Sequence, residues 1–283
     1  MKYDLHSHSI ASDGTLTPTE LVCRAKATGV THLALSDHDT IAGLTEAQRA
    51  ASDQGIHLIT ASELSAMWQG RTVHIVGLLL DTDCAELCNG IARQLAFRDW
   101  RGKEIARKLE QKAGIHDAYQ GALTFVHGDL VSRSHFARYL VQAGYACDFP
   151  TAIKKYLLQG KPGHVKGDWA KLDEVISWIR SAGGIAVLAH PARYNMTATK
   201  MRNLLNDFVD AGGEAIEVIS SCHTPSEVQT FTGHALRFDL LASAGSDFHG
   251  PENPWIELGR LADIPDACTP VWKSETWHQR IAA

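Results

Sequence analysis

Lys2-Tyr3-Asp4-Leu5-His6-Ser7-His8 ends the first β-rich run of the chain on two histidines, one residue apart. Residues two apart on an extended strand face the same side, so both imidazoles can reach a single point. Six further runs of strand character follow, at His32–Ser36, Ile56–Glu63, Thr72–Leu80, Ile185–Ala189, Glu214–Ile219 and Leu240–Ala244. Helical patterns separate most of them. Thr17-Pro18-Thr19-Glu20 is a capping box with proline at the first helical position, opening a helix toward Gly29. Gly43–Gln54, Asp83–Lys112, Leu172–Ala182 and Thr199–Ala211 also read as helices, and Thr224-Pro225-Ser226-Glu227 repeats the capping signature. Short apolar strands separated by helices argue for parallel pairing with both faces covered. About seven such units favour a closed, barrel-like α/β fold over an open sheet.

The alternation stops between about Gly114 and Gly163, where Ser134–Gly144 and Thr151–Leu158 look helical. The expected organisation is a first barrel portion over 1–98, a small helical insertion domain over 99–163 acting as a lid on substrate, and a second barrel portion over 164–283.

Composition narrows the function classes. A formal charge of −5 argues against a broad basic nucleic-acid surface, although bound divalent cations would offset several acids. Six cysteines without a Cys-x-x-Cys pair read as free thiols rather than disulfides or a thiolate zinc site. No stretch reaches the roughly 18–20 apolar residues of a membrane span, and Met1–His6 has no apolar signal region. The expected location is the cytoplasm.

Fifteen histidines are the unusual feature, and their positions matter more than their number. His6 and His8 end the first strand, Asp13 follows in the next loop, and His38 ends the second strand within Ser36-Asp37-His38-Asp39. Glu63 ends the third, His190 follows Ile185–Ala189, and Asp247 and His249 lie just past the last strand. In a parallel barrel, strand ends of this kind open onto one rim. His74 lies early in its strand and requires an antiparallel strand or a bend there. A lone histidine is ordinarily hydrogen-bonded or half-exposed, which is the reading for His32, His57, His116, His127, His234 and His278. Six histidines and three carboxylates at one rim are harder to dismiss, because uncompensated acids there would repel one another and metal ions remove the repulsion.

In order and spacing, Asp4-Leu5-His6-Ser7-His8, Ser36-Asp37-His38-Asp39, Glu63, His74, His190-Pro191 and Ser246-Asp247-Phe248-His249 resemble the PHP (polymerase and histidinol phosphatase) domain. The resemblance implies a distorted (β/α)7 barrel holding two or three divalent ions. Carried over by motif, one ion takes His6, His8, Glu63 and Asp247, a second shares Glu63 and adds His74 and His190, and a third takes Asp13, His38 and His249. Mixed nitrogen and oxygen donors suit manganese, zinc or iron; the resemblance favours manganese, with magnesium a further alternative. A water activated by the metals would then be the nucleophile, with no side-chain nucleophile assigned.

Within the family, Ser132-Arg133-Ser134-His135, Lys161-Pro162-Gly163 and His190-Pro191-Ala192-Arg193 resemble the branch of nucleoside 3′,5′-bisphosphate phosphatases and RNase AM-type 5′–3′ exoribonucleases. That branch implies a nucleotide or short-RNA substrate whose 5′-phosphate is held by Arg133 and His135, with help from Arg193 and Lys161. A helix start after Ser134 would add backbone donors. Lys161 reads equally well as a solvated charge, and Tyr139, Tyr145 and Phe149 read as core more readily than as base-stacking residues. Asp37, Asp39 and His223 are candidates for proton transfer or for support of the site, on proximity alone. Other readings stay open: a histidinol phosphatase or proofreading nuclease of the same family, a C–N hydrolase, whose bridging carboxylated lysine is replaced here by Glu63, or a non-catalytic metal-binding module. No membrane and no obligate protein partner is expected.

Overall fold

The computed structural model describes residues 1–128 and 130–282. Seven strands form one sheet in sequence order: β1 (Tyr3–Asp4), β2 (His32–Leu35), β3 (His57–Trp68), β4 (Arg71–Leu78), β5 (Ile185–Leu188), β6 (Ala215–Ser220) and β7 (Leu241–Gly245). The Leu5 N–H donates to Ala244 O at 2.9 Å, tying the first strand to the last and closing the sheet into a distorted barrel. Helices α1 (Pro18–Ala27), α2 (Leu44–Gln54), α7 (Leu172–Ser181), α8 (Ala198–Asp210) and α9 (Pro225–Arg237) accompany the strands. Both anticipated capping boxes form, at Thr17/Glu20 and Thr224/Glu227.

The sheet departs from parallel pairing at β4, which runs antiparallel to both β3 and β5, one of the two arrangements that the position of His74 required. The cause is local. Gln69 and Gly70, with φ of 45° and 76°, make a two-residue connection between β3 and β4. So short a link can join only antiparallel neighbours. The reversal brings His74, early in β4, to the same rim as the ends of the parallel strands. β3 is also longer than expected, so Glu63 lies within it rather than ending it, paired with Val76 across the hairpin. β1 is shorter. His6 and His8 lie beyond its ladder, held in place because Asp247 N–H donates to His6 O at 2.8 Å and His8 N–H to Phe248 O at 2.9 Å.

Leu5, Ala34, Ile59, Ala61, Val76, Val187 and Ala189 are buried in one cluster with Val271 and Trp277. The tail, including α10 (Glu275–Ala282), therefore packs on the barrel interior, beside the strand-start residues Tyr3 and Leu241.

The insertion is helical, with α4 (Ala118–Leu123), α5 (Arg133–Gln142), α6 (Phe149–Ala152) and a π-helical turn at Ile153–Leu157. It has its own core, including Phe136, Leu140, Ala152 and Leu157. Residue 98, the expected boundary, falls inside one continuous helix, α3 (Ala85–Ala113). Leu87 and Ile91 of that helix pack into the outer barrel core, and Ile105 and Leu109 pack into the cap. One rod thus carries both layers. No helix among the described residues is long and apolar enough to cross a membrane.

Candidate active site

The rim gathers all nine of the anticipated donors. His6, His8, Asp13, Glu63, His190 and Asp247 are buried, while His38, His74 and His249 are partly exposed. His6 Nε2 and His8 Nε2 lie 3.1 Å apart, and His8 Nε2 is 3.1 Å from Asp247 Oδ1. Glu63 Oε2 stands 3.4 Å from both imidazole nitrogens. Donors about 2.0–2.2 Å from a shared ion lie roughly 3.0–3.5 Å from one another, so these spacings are edges of a coordination shell.

Hydrogen bonding gives the same answer. Glu63 Oε2 and His38 Nδ1 approach to 2.8 Å without hydrogen-bond geometry, and both are buried and unpaired, as are Asp13 Oδ1 and His8 Nδ1. Buried polar atoms in native proteins ordinarily have partners. Unpaired atoms that converge are what a cation would satisfy. Three donor groups result: His6, His8, Glu63 and Asp247; His8, Asp13, His38 and His249; and His38, Glu63 and His74. His190 Nε2 joins the last through Glu63 Oε1, at 2.8 Å. The partition differs from the motif-based one in that His8 and His38 each belong to two groups. The donor set fits divalent ions.

Charge supports the fit. Burial opposes ionisation of Asp13, Glu63 and Asp247, but neighbouring histidines, with Arg193 at Asp247, outweigh it and hold all three well below the usual carboxylate range. Burial likewise opposes charge on His249, yet Asp247 and Asp13 raise it to about 9. His8 falls to about 3 through burial and the nearby His249 and His38. The rim therefore holds its three acids ionised beside imidazoles and Arg193.

Backbone strain is present here, at three of the eight positive-φ non-glycine residues among those described. Asp39, His190 and Asp247 adopt left-handed φ of 48°, 28° and 55°. Such residues cost about 1–3 kcal/mol each and persist where the surroundings over-determine them. Each N–H is pinned by the site: Asp39 to Glu63 O at 2.9 Å, His190 to Glu217 Oε2 at 2.5 Å, and Asp247 to His6 O at 2.8 Å.

The donors open into a pocket of about 400 Å³ between rim and cap. Arg98, Arg101, Arg133, Ser134, His164 and Trp169 line it on the cap side, and Arg193 on the barrel side. Arg98 Nε donates to Asp39 Oδ2 at 2.7 Å. Arg101 differs: among the described residues it has no carboxylate partner, its Nε is buried and unpaired, and its Nη2 reaches Val165 O at 3.3 Å. Burial, with repulsion from Arg133 and Arg98, brings its guanidinium down to about 9. Arginines gathered at one cavity suit a multiply charged anion.

The family model for the PHP domain matches residues 4–184. This chain belongs to the PHP domain family. It is 50% identical over 272 residues to a 5′-3′ exoribonuclease of Haemophilus influenzae, covering 96% of this chain and 98% of that one. It is 44% identical over 271 residues to a 3′,5′-nucleoside bisphosphate phosphatase of Chromobacterium violaceum, covering 95% of each. A solved structure described as an amidohydrolase from Chromobacterium violaceum, with bound sulfate and no metal, superimposes with a TM-score of 0.93 at 42% identity, covering 99% of this chain and 97% of that one.

Other anticipated residues of this PHP chain divide by position. Arg133 and Arg193 line the pocket; His135 and Lys161 do not. His135 Nδ1 accepts from the Ser132 N–H at 3.1 Å, so the ring helps start α5. The helix begins at Arg133, one residue earlier than expected, and Ser132 Oγ already accepts from the N–H groups of Ser134 and His135. Those donors are not free for a ligand. Lys161 is exposed. Tyr139 and Tyr145 pack against the cap core and Phe149 is exposed, so none of them lines the pocket. Asp37 accepts from Ser9 and Ser12, and Asp39 from Ser65 and Arg98, which makes both loop anchors. His223 Nδ1 donates to Val218 O at 3.0 Å, outside the pocket.

Sequence reasoning missed Arg98, Arg101, His164 and Glu217. Glu217 left a signal, as a single acid inside the apolar, wholly buried strand β6. Arg98 and Arg101 left little, being two cations among many on a long amphipathic helix.

Proposed function

We propose that this chain is a metal-dependent phosphoesterase that releases the 3′-phosphate of nucleoside 3′,5′-bisphosphates and, by the same geometry, trims nucleotides from the 5′ end of short 5′-phosphorylated RNA. The observation carrying this reading is that one cavity is lined both by the histidine and carboxylate donors and by the arginine group. A substrate with two phosphates matches a pocket with two anion-binding ends. The names of the Haemophilus influenzae and Chromobacterium violaceum relatives agree with it.

His6, His8, Asp13, His38, Glu63, His74, His190, Asp247 and His249 would hold the ions, with manganese favoured. Bound divalent ions in such a site polarise the phosphate, lower the pKa of water and stabilise the leaving oxygen. The remaining work falls to the chain. Arg101 and Arg133 hold the 5′-phosphate, with Trp169 beneath Arg98 and Arg101, whose guanidinium carbons lie 4.9 and 5.6 Å from its ring. Ser134 Oγ donates to Asp13 Oδ2 at 2.7 Å and Arg138 Nη2 to Asp13 O at 2.8 Å, tying the cap to the rim and fixing the distance between the two ends. The cap over 99–163 acts as the lid over the bound substrate. When the 3′-phosphate is terminal, the products are a 5′-nucleotide and phosphate. When it joins the next residue, the same cleavage removes one nucleotide.

The test is phosphate release in manganese from adenosine 3′,5′-bisphosphate beside 3′-AMP, 5′-AMP and histidinol phosphate. Strong preference for the bisphosphate is expected. Preference for any monophosphate would remove the two-ended pocket from the account.

A further inference from the structure

Glu217 belongs to neither the donor groups nor the pocket lining, yet it touches the donor residues of two different strand ends. It projects from the middle of β6 and is 1% exposed. Oε1 accepts from His6 Nδ1 at 2.6 Å, and Oε2 accepts from the His190 N–H at 2.5 Å. His190 is the residue with φ of 28°, so this second bond holds a strained turn as well as a donor. β7 packs tightly against the pair. A Cβ on Gly245 would stand 2.2 Å from His6 Cβ and 3.0 Å from Glu217 Oε1, leaving no room for any other side chain.

We infer that Glu217 is a positioning residue that presets the centre for its ions, fixing the proton of His6 on Nδ1 so that Nε2 offers a lone pair, and holding His190 in its left-handed turn. The inference rests on the metal reading above. It follows from what a carboxylate can do and an amide cannot. Both oxygens of Glu217 face donors, and one of those donors is a backbone N–H, which cannot exchange roles. In Glu217→Gln the single amide oxygen must serve the His190 N–H. The NH2 group then faces His6 Nδ1, which can accept only if the imidazole proton moves to Nε2. That proton would occupy the position meant for an ion. A carboxylate behind a metal-binding histidine sets its tautomer and basicity, and loss of such support typically weakens metal binding about 10–100-fold.

The experiment compares wild type and Glu217→Gln after chelation and reloading, reading bound manganese per chain and the rise in thermal midpoint on adding the ion. Glu217→Gln is expected to keep nearly the wild-type midpoint without ions, and to lose at least one ion or bind it about 10–100-fold more weakly. Equal loading of the two proteins overturns the inference alone, whereas a wild type that takes up no ion overturns the metal reading and this inference with it. Should the variant not fold, nitrogen NMR of His6 in the chelated wild type, at a pH where the imidazole is neutral, still decides. A proton on Nδ1 with Nε2 unprotonated is required, and a proton on Nε2 overturns the inference.

Discussion

The barrel side of the pocket and the cap side differ in charge, in construction and in the distance over which each is assembled. Residues 99–163 carry ten Lys/Arg against six Asp/Glu, leaving seventeen against twenty-six in the rest of the chain. On the barrel side, buried acids and imidazoles stand at the ends of strands fixed by ladder hydrogen bonds. On the cap side, guanidinium groups come from a helix face and a helix start, braced by one buried aromatic ring. The first arrangement demands cations and the second demands an anion. A substrate bearing two phosphates, one of them covered by bound ions, satisfies both. The rigid side thus suits chemistry, where small displacements are costly, and the helical side suits grip.

Each prediction strains that division. The largest effect is expected on the barrel side. Asp247→Ala or His8→Ala should lower turnover by about 10³-fold or more, because an ion's charge stabilisation is worth several kcal/mol. Metal content should fall in parallel, and near-normal rates with full ion loading would remove either residue from the donor list. Chelation should abolish turnover while leaving most of the far-UV circular dichroism, since the apolar cores are built without donor residues. Global unfolding on chelation would make the centre structural instead.

The cap side should respond more gently and more selectively. Arg101→Ala is expected to raise KM about 10–100-fold for substrates carrying a 5′-phosphate, the worth of one charge-assisted hydrogen-bonding group, with a smaller change in kcat. An equal loss on substrates lacking that phosphate would defeat the anchoring role. Lys161→Ala marks the low end. Its side chain is exposed and outside the pocket lining, so KM should change less than about twofold and stability by under about 0.5 kcal/mol. A tenfold rise in KM would show that the grip reaches beyond the pocket.

The two sides were also unequally legible. His6 and His8, or Asp247 and His249, announce themselves because two-residue spacing at a strand end is local, and such pairs have few other uses. Arg98 and Arg101 cannot do so. A cation on an amphipathic helix looks the same whether it faces solvent or a cavity, and only the packing of Trp169 and α5 against α3 distinguishes the cases. His135 shows the converse failure, since its neighbourhood suggested a phosphate ligand while its ring was already bonded to the Ser132 N–H.

The order of strands and helices, the capping boxes, the presence of a helical insertion and the nine donors were set out in the sequence, because each depends on spacing within a few residues. The sharing of His8 and His38 between donor groups, the carboxylate of Glu217 behind His6 and the placement of Arg101 in the pocket were decided by tertiary structure alone. They depend on which atoms of distant segments come within hydrogen-bonding reach and which way their lone pairs point. Spacing along a chain does not contain that information.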